Sequence, residues 1–263
     1  MNEKVQQRVI EHAIYTEIQF PQCTRVFTAL QGSQNYQMDD AESDVDTKTL
    51  IVPSFKEIVF HSKHISTTIE VPPTVEHSDV KDARDMFQCF RKQNINFLEI
   101  LFTPYVQVNE RFKEEYAALY ENREAIAHLN PYQCLRAMIG HLMEKYEKFE
   151  HPYPTIKWKI DKYGYDSKQL VNMLRIQDFL TRFFEEKESF ENCLIPKEKE
   201  RMKRIKRYAL SYGEACAIKE RTKLWADEFL EIWRNKLPNK EDSKTSKLLD
   251  EILYSIFKKG VVD

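Results

Sequence analysis

The sequence predicts an α+β fold: a small mixed β-sheet with flanking helices over residues 1–81, then a larger, mostly α-helical region over 82–263. Three observations lead to it. Before about residue 80, short β-branched and aromatic runs alternate with turn residues. After it, apolar residues recur at helical spacing almost to the end. The 263 residues include only 5 Gly and 10 Pro, too few for a turn-rich β-sandwich or a low-complexity chain.

Residues 3–14 predict a first helix, with Val5, Val9, Ile10 and Ala13 on one side. Thr24–Leu30 is β-branched and aromatic and predicts a strand; the polar stretch 31–42 that follows is a loop. Val45–Val52 alternates and then becomes fully apolar, which suits a central strand. Residues 53–60 predict a short helix with Pro at its first turn, and 65–71 and 75–80 two strands flanking Pro72-Pro73. Asp82 is placed to cap a helix whose stripe is Ala83, Met86, Phe87 and Phe90. Asn109 and Asn130-Pro131 mark further helix starts, and Asp166 or Ser167 another. A charged helix from Pro196, then 215–237 and 246–259 complete the pattern, with a polar linker at 238–245.

Hydrophobic residues at 42% and charged residues at 31% are the composition of an ordinary soluble globular chain. Forty basic residues against 42 acidic ones leave a net charge of −2, so a chain basic throughout is excluded and nucleic-acid contact requires a local patch. No apolar run approaches the roughly 18 residues of a membrane span. The start MNEKVQQRVIEH lacks an apolar signal core, and five scattered cysteines form no C-x-x-C pair; together these predict a cytoplasmic protein with reduced thiols.

The stretch most informative about chemistry is Gly32-Ser33, then ten residues, then Asp44-Val45-Asp46. The Gly-Ser follows a predicted strand and the Asp-x-Asp opens the next. Side chains two apart on a strand share a face, about 6–7 Å apart, so the two carboxylates repel unless a cation joins them. Oxygen ligands without nearby His or Cys suit Mg2+ or Mn2+. Gly32 permits a tight turn and Ser33 adds a hydroxyl, so the turn can cradle phosphate oxygens. A phosphate-binding turn facing a carboxylate-held metal is apparatus for phosphoryl or nucleotidyl transfer. Asp-x-Asp by itself is also common on solvated loops.

This pattern resembles the G-S-x10-D-x-D signature of the DNA polymerase β-like nucleotidyltransferase superfamily. It is similar to a group of predicted nucleotidyltransferases of bacteria and phages, whose G-S-x-x-Y-G … S-D-x-D is matched by Gly32-Ser33-Gln34-Asn35-Tyr36 … Ser43-Asp44-Val45-Asp46. The group's D-L-R-K-F … N-P-N-x-L-E-x-L is matched by residues 82–86 and 94–101, and its G-Y-D-x-K … R-L by Gly164-Tyr165-Asp166-Ser167-Lys168 … Arg175-Ile176. The likeness covers about residues 24–180. Gln37, Ile95 and Ile176 depart from it, standing for Gly, Pro and Leu.

The resemblance implies an NTP-using, metal-dependent enzyme whose core is 1–81 and whose helical region 82–263 completes the cleft. It implies that Asp44 and Asp46 hold the metals, and that a third carboxylate on the strand ending at Asp82 joins them and helps to deprotonate the acceptor hydroxyl. Asp79 is favoured for that role and Glu76 is the alternative; the two face opposite sides, and Asp79 can instead cap the next helix. Lys168 and Arg175, two helical turns apart, are implied to reach the triphosphate or the acceptor's phosphate; a solvated helix face is the other reading. The run 197–207 has seven basic and two acidic residues and is a candidate RNA strip or a solvated helix side. An RNA end is the expected acceptor, with a protein hydroxyl or a small molecule as alternatives. A catalytically silent nucleotide- or RNA-binding module and a defence component that nucleotidylates a partner protein are the competing functions. His61-x-x-His64 lacks a third ligand for zinc, and Trp158, Trp225 and Trp233 are expected in the core.

Overall fold

The computed structural model describes residues 2–40, 43–60 and 63–261 and has the α+β fold that the sequence predicts. In chain order the elements are α1 (Glu3–Gln19), β1 (Cys23–Gln31), β2 (Asp46–Pro53), α2 (Phe55–Phe60), β3 (Ser66–Val71), β4 (Glu76–Asp82), α3 (Ala83–Arg91), α4 (Ile95–Leu98), β5 (Val106–Val108), α5 (Lys113–Glu121) and α6 (Arg123–Ala127). The helices α7 (Pro131–Lys148), α8 (Lys157–Tyr163), α9 (Ser167–Leu180), α10 (Phe190–Leu194), α11 (Lys199–Lys206), α12 (Tyr212–Trp233) and α13 (Ser243–Gly260) follow. Two compact units result: residues 1–130 together with 241–263, and residues 131–240. The unit holding the sheet therefore runs well past residue 81. The reason is packing: α3 lies on β2 and β4, and α13 returns to α3, α5 and β2.

The first unit is built on a five-stranded sheet of order β3-β4-β2-β1-β5. Only β2 and β4 run parallel; the other pairs are antiparallel. Seven of the eight β2 residues are buried, as expected for a central strand covered on both faces. On one face α1 supplies Val5 and Val9 against Leu30 and Val45. On the other, α13 closes on β2 so tightly that a Cβ on Gly260 would stand 2.8 Å from Val52. Hydroxyls of Thr28, Thr49 and Ser78 bridge β1, β2 and β4 at 2.9 and 3.1 Å, satisfying polar groups inside the core.

Caps fix where the helices begin. Asp82, Asn94 and Asp166 each accept a backbone N–H of the first turn of α3, α4 and α9. Ile95 is the first residue of α4, the position at which Pro is favoured. Gln37 sits at φ 55° in the left-handed region that Gly adopts freely.

In the second unit α7, α9 and α12 pack together, and α9 continues as a π-helical turn over Thr181–Glu186. Three expectations are corrected. Trp158 is 57% exposed, on a short helix, α8, that buries none of its residues fully. Trp225 and Trp233 are half-buried rather than inside the core; Trp225 packs tilted on Phe229, and Trp233 packs tilted on Phe229 and Phe184. His61 lies outside the described residues, and His64 Nδ1 is bonded to Asp85 at 2.7 Å.

Candidate active site

Antiparallel pairing of β1 with β2 sets Gln31 opposite Asp46, so the Gly-Ser turn starts at the residue after the partner of Asp46. Gly32 leaves the strand at φ 96°, a conformation that costs an L residue about 1–2 kcal/mol. The Ser33 carbonyl then accepts from the Tyr36 and Met38 amides, closing a compact turn. Gln34 Nε2 donates to the Asp44 carbonyl at 2.7 Å, tying this turn to the aspartate segment. The Gly32 N–H is not open: it donates to the buried Glu99 carboxylate at 2.9 Å. Among the described residues, no acceptor takes the Ser33 N–H, the Ser33 hydroxyl proton or the Gln34 N–H. Three donors in two consecutive residues are the inventory of an anion-binding turn.

Asp46 is the first residue of β2, and Asp44 precedes the strand. Asp44 is exposed, and its carboxylate has no hydrogen bond or ion pair among the described residues. Asp46 Oδ1 accepts the His77 backbone N–H at 2.9 Å and lies 3.6 Å from His77 Nδ1. Among the described residues neither aspartate is bonded to a Lys or Arg. Among the described residues, no three His, Cys, Asp or Glu side chains gather as a metal-holding group. The donor set nevertheless fits Mg2+ or Mn2+, since such ions are commonly held by one or two carboxylates and complete their shell with substrate phosphates and water.

Register separates the two candidates for the third carboxylate. Parallel pairing of Lys48 with Asp79 puts both on the face of Asp46. Lys48 Nζ bonds Asp79 Oδ2 at 2.8 Å and lies 4.0 Å from the centroid of the Phe97 ring. Burial pulls the Lys48 ammonium below its usual range, and Asp79 opposes that pull. Asp79 thus faces the right way but is salt-bridged, and Asp82, not Asp79, caps α3. Glu76 faces α1 instead. Its Oε2 accepts from Arg8 Nε at 2.7 Å and from Thr74 Oγ1 at 2.9 Å, and its Oε1 takes the Val45 N–H at 3.1 Å. Burial alone would raise Glu76, but these bonds outweigh it and hold the carboxyl below its usual range.

Lys168 and Arg175 belong to the second unit, on α9. Their spacing does not present both to solvent: Lys168 is exposed and forms no ion pair among the described residues, whereas Arg175 is 5% exposed. Around them the fold accounts for the neighbouring motif. Gly164 ends α8 at φ 83°, with the Tyr212 ring 2.8 Å from where a Cβ would stand. Tyr165 is buried and donates to Leu210 O, and Asp166 caps α9. On α7, His141 is pushed down to about 4, by burial first and then by Lys145 and Arg175. In α11, Met202 and Ile205 turn inward. Arg201 is paired to Glu198 and Lys197 to Glu186, whereas Arg204 and Arg207 are exposed without ion pairs among the described residues.

Compared with protein-family models and with curated proteins, the chain matches none. Among the described residues, no helix is long and apolar enough to cross a membrane.

Three residues at the site escaped sequence reasoning. Lys48 was legible in principle, two residues past Asp46 on the same strand face. Glu99 stands in a segment that the resemblance matches, yet nothing in the sequence links it to Gly32, 67 positions away. His12 reaches Thr47 Oγ1 at 2.9 Å from α1, a contact that only the tertiary fold creates.

Proposed function

We propose that the protein is a nucleotidyltransferase that moves a nucleoside monophosphate from an NTP to an acceptor hydroxyl and releases pyrophosphate. The observation that carries this reading is the pairing of Gln31 with Asp46, which sets a turn with three open donors beside an aspartate pair. Asp44 and Asp46 are the residues that would hold Mg2+ or Mn2+. Such a metal supplies positive charge where charge develops on the phosphate oxygens. The Ser33 N–H, the Ser33 hydroxyl and the Gln34 N–H orient the phosphate chain. Asp79 is the residue assigned to the proton of the acceptor hydroxyl, with Lys48 fixing the direction of its carboxylate. An RNA end is the preferred acceptor, because exposed Arg204, Arg207 and Lys168 offer cations that the fold does not neutralise.

The test is incubation with each α-labelled NTP, Mg2+ or Mn2+, and total RNA, total protein or small metabolites. Label is expected to pass to one acceptor class, and Asp44→Asn and Asp46→Asn are expected to abolish transfer in protein that still melts cooperatively. Labelled protein without labelled RNA would replace the RNA acceptor with a protein hydroxyl. Absence of label in every fraction, or full activity in the double variant, would overturn the enzyme and favour a binding module.

A further inference from the structure

The segment that carries the aspartate pair is held from behind. Asp44 lies outside the β2 ladder, so strand pairing does not fix its peptide. The N–H of the next residue, Val45, instead enters the buried face of the sheet and is taken by Glu76 Oε1 at 3.1 Å. Glu76 is 8% exposed, and its other oxygen is fixed by Arg8, whose Nη2 is 2.5 Å away, and by Thr74. One residue beyond Asp46, Thr47 Oγ1 is held by His12 Nδ1 at 2.9 Å, and His12 Nε2 lies 3.4 Å from Glu76 Oε2. One buried network from α1 and β4 therefore grips the chain on both sides of Asp46. Arg8 is shared between Glu76 and Glu11, the second on its own helix.

Two carboxylates held side by side repel each other, and a flexible segment would relieve that repulsion by letting Asp44 turn away. A rigid peptide keeps both oriented before any cation arrives, which lowers the ordering cost of binding one. A carboxylate suits the position: Glu76 receives donors on both oxygens, from Val45 on one and from Arg8 and Thr74 on the other, and an amide at 76 would turn its NH2 toward either the Val45 N–H or the Arg8 guanidinium.

We propose that Glu76 is a positioning residue for the Asp44/Asp46 pair, setting their pre-organised geometry through the Val45 amide and Arg8; this rests on the metal-holding role assigned above. Removing a partner that orients a metal ligand costs about 10- to 100-fold in metal affinity.

The experiment measures Mn2+ binding to the full chain by the loss of free-ion electron paramagnetic resonance signal, without nucleotide, alongside thermal melting. Wild type is expected to bind Mn2+ and Asp46→Asn to lose it. Glu76→Ala and Glu76→Gln are expected to weaken Mn2+ binding by tenfold or more while the far-ultraviolet dichroism stays that of the folded chain. Should Glu76→Ala fail to fold, Arg8→Gln decides, because it leaves Glu76 in place but frees its carboxylate to rotate; its Mn2+ affinity is expected to fall several-fold. Variants that melt earlier yet bind Mn2+ as wild type does would make Glu76 a stability residue only and overturn the inference. Wild type that binds no Mn2+ would instead overturn the metal role of Asp44 and Asp46, and the inference with it.

Discussion

Gly32→Ala separates a phosphate-binding turn from a structural one. The added methyl meets nothing within 4 Å, so the folded chain has no clash to relieve. The whole penalty is in the backbone, which holds φ at 96°. That costs about 1–2 kcal/mol for an L residue. For domains approaching this size, each kcal/mol moves Tm by about 2–4 °C, so the variant should melt about 2–8 °C lower. The methyl also stands at the start of the turn whose Ser33 and Gln34 donors are open, where close approach of a phosphate depends on a bare backbone. Titration with a fluorescent NTP analogue in Mg2+ should therefore show an affinity loss of tenfold or more, well beyond what the loss of stability accounts for in a chain that stays folded. A lowered Tm with unchanged NTP affinity would mean that the turn shapes the fold and does not bind phosphate. An unchanged Tm would mean that Gly32 does not occupy the left-handed region.

Two further outcomes test the second unit. His141 is pushed down to about 4 in the folded chain, so it stays neutral there while its unfolded counterpart, near 6.5, takes up a proton. A depressed His stabilises above its unfolded value and loses that contribution as pH falls; between pH 7 and pH 5 the loss is at most about 2 kcal/mol, and His141→Asn should show a correspondingly smaller fall in Tm over that interval. Equal falls in variant and wild type would contradict the burial assigned to His141. Replacing Lys203, Arg204, Lys206 and Arg207 by Ser should reduce RNA affinity and flatten its salt dependence by roughly one unit of slope per lost phosphate contact; an unchanged slope, measured by filter binding from low to moderate salt, would remove α11 from the nucleic-acid surface.

The sheet was legible because its strands carry local signals. Thr24–Leu30 and Val45–Val52 announce β1 and β2 by β-branching and by apolar runs, and the caps Asp82, Asn109 and Asp166 announce the helices that follow them. What stayed hidden is what depends on distant residues. β5 is three residues long and exists because Val106 and Val108 pair with the exposed edge of β1, a partner that no local pattern names. The return of α13 to the sheet, and the need for Gly260 against Val52 and Phe112, follow from closure between positions more than 140 apart. The aspartate pair was legible from spacing, but its surroundings were not. Lys48 neutralises the expected third carboxylate, and Glu99 occupies the amide that was expected to face phosphate. In both places a polar group was taken by a residue from another element.

The motif residues can be sorted by whether the fold itself needs them. Gly164 is required because Tyr212 occupies the space of a Cβ and the backbone is left-handed. Tyr165 fills the core, Asp82, Asn94 and Asp166 cap helices, and Glu99 anchors the Gly32 amide. Each of these is needed by this architecture whatever its activity, so none of them speaks for a particular reaction. Ser33, Asp44 and Lys168 are different. Among the described residues Ser33 donates to nothing and Lys168 is an exposed cation without an ion pair, and Asp44 is an exposed carboxylate that strand pairing leaves out. Replacing any of the three by Ala should cost the fold little, because surface changes away from packing and caps stay within about 0.5 kcal/mol. A polar donor, a carboxylate next to another carboxylate, and an unpaired ammonium are nonetheless the chemistry that a phosphate and its metal require. The functional reading therefore rests most firmly on the residues that stability does not explain.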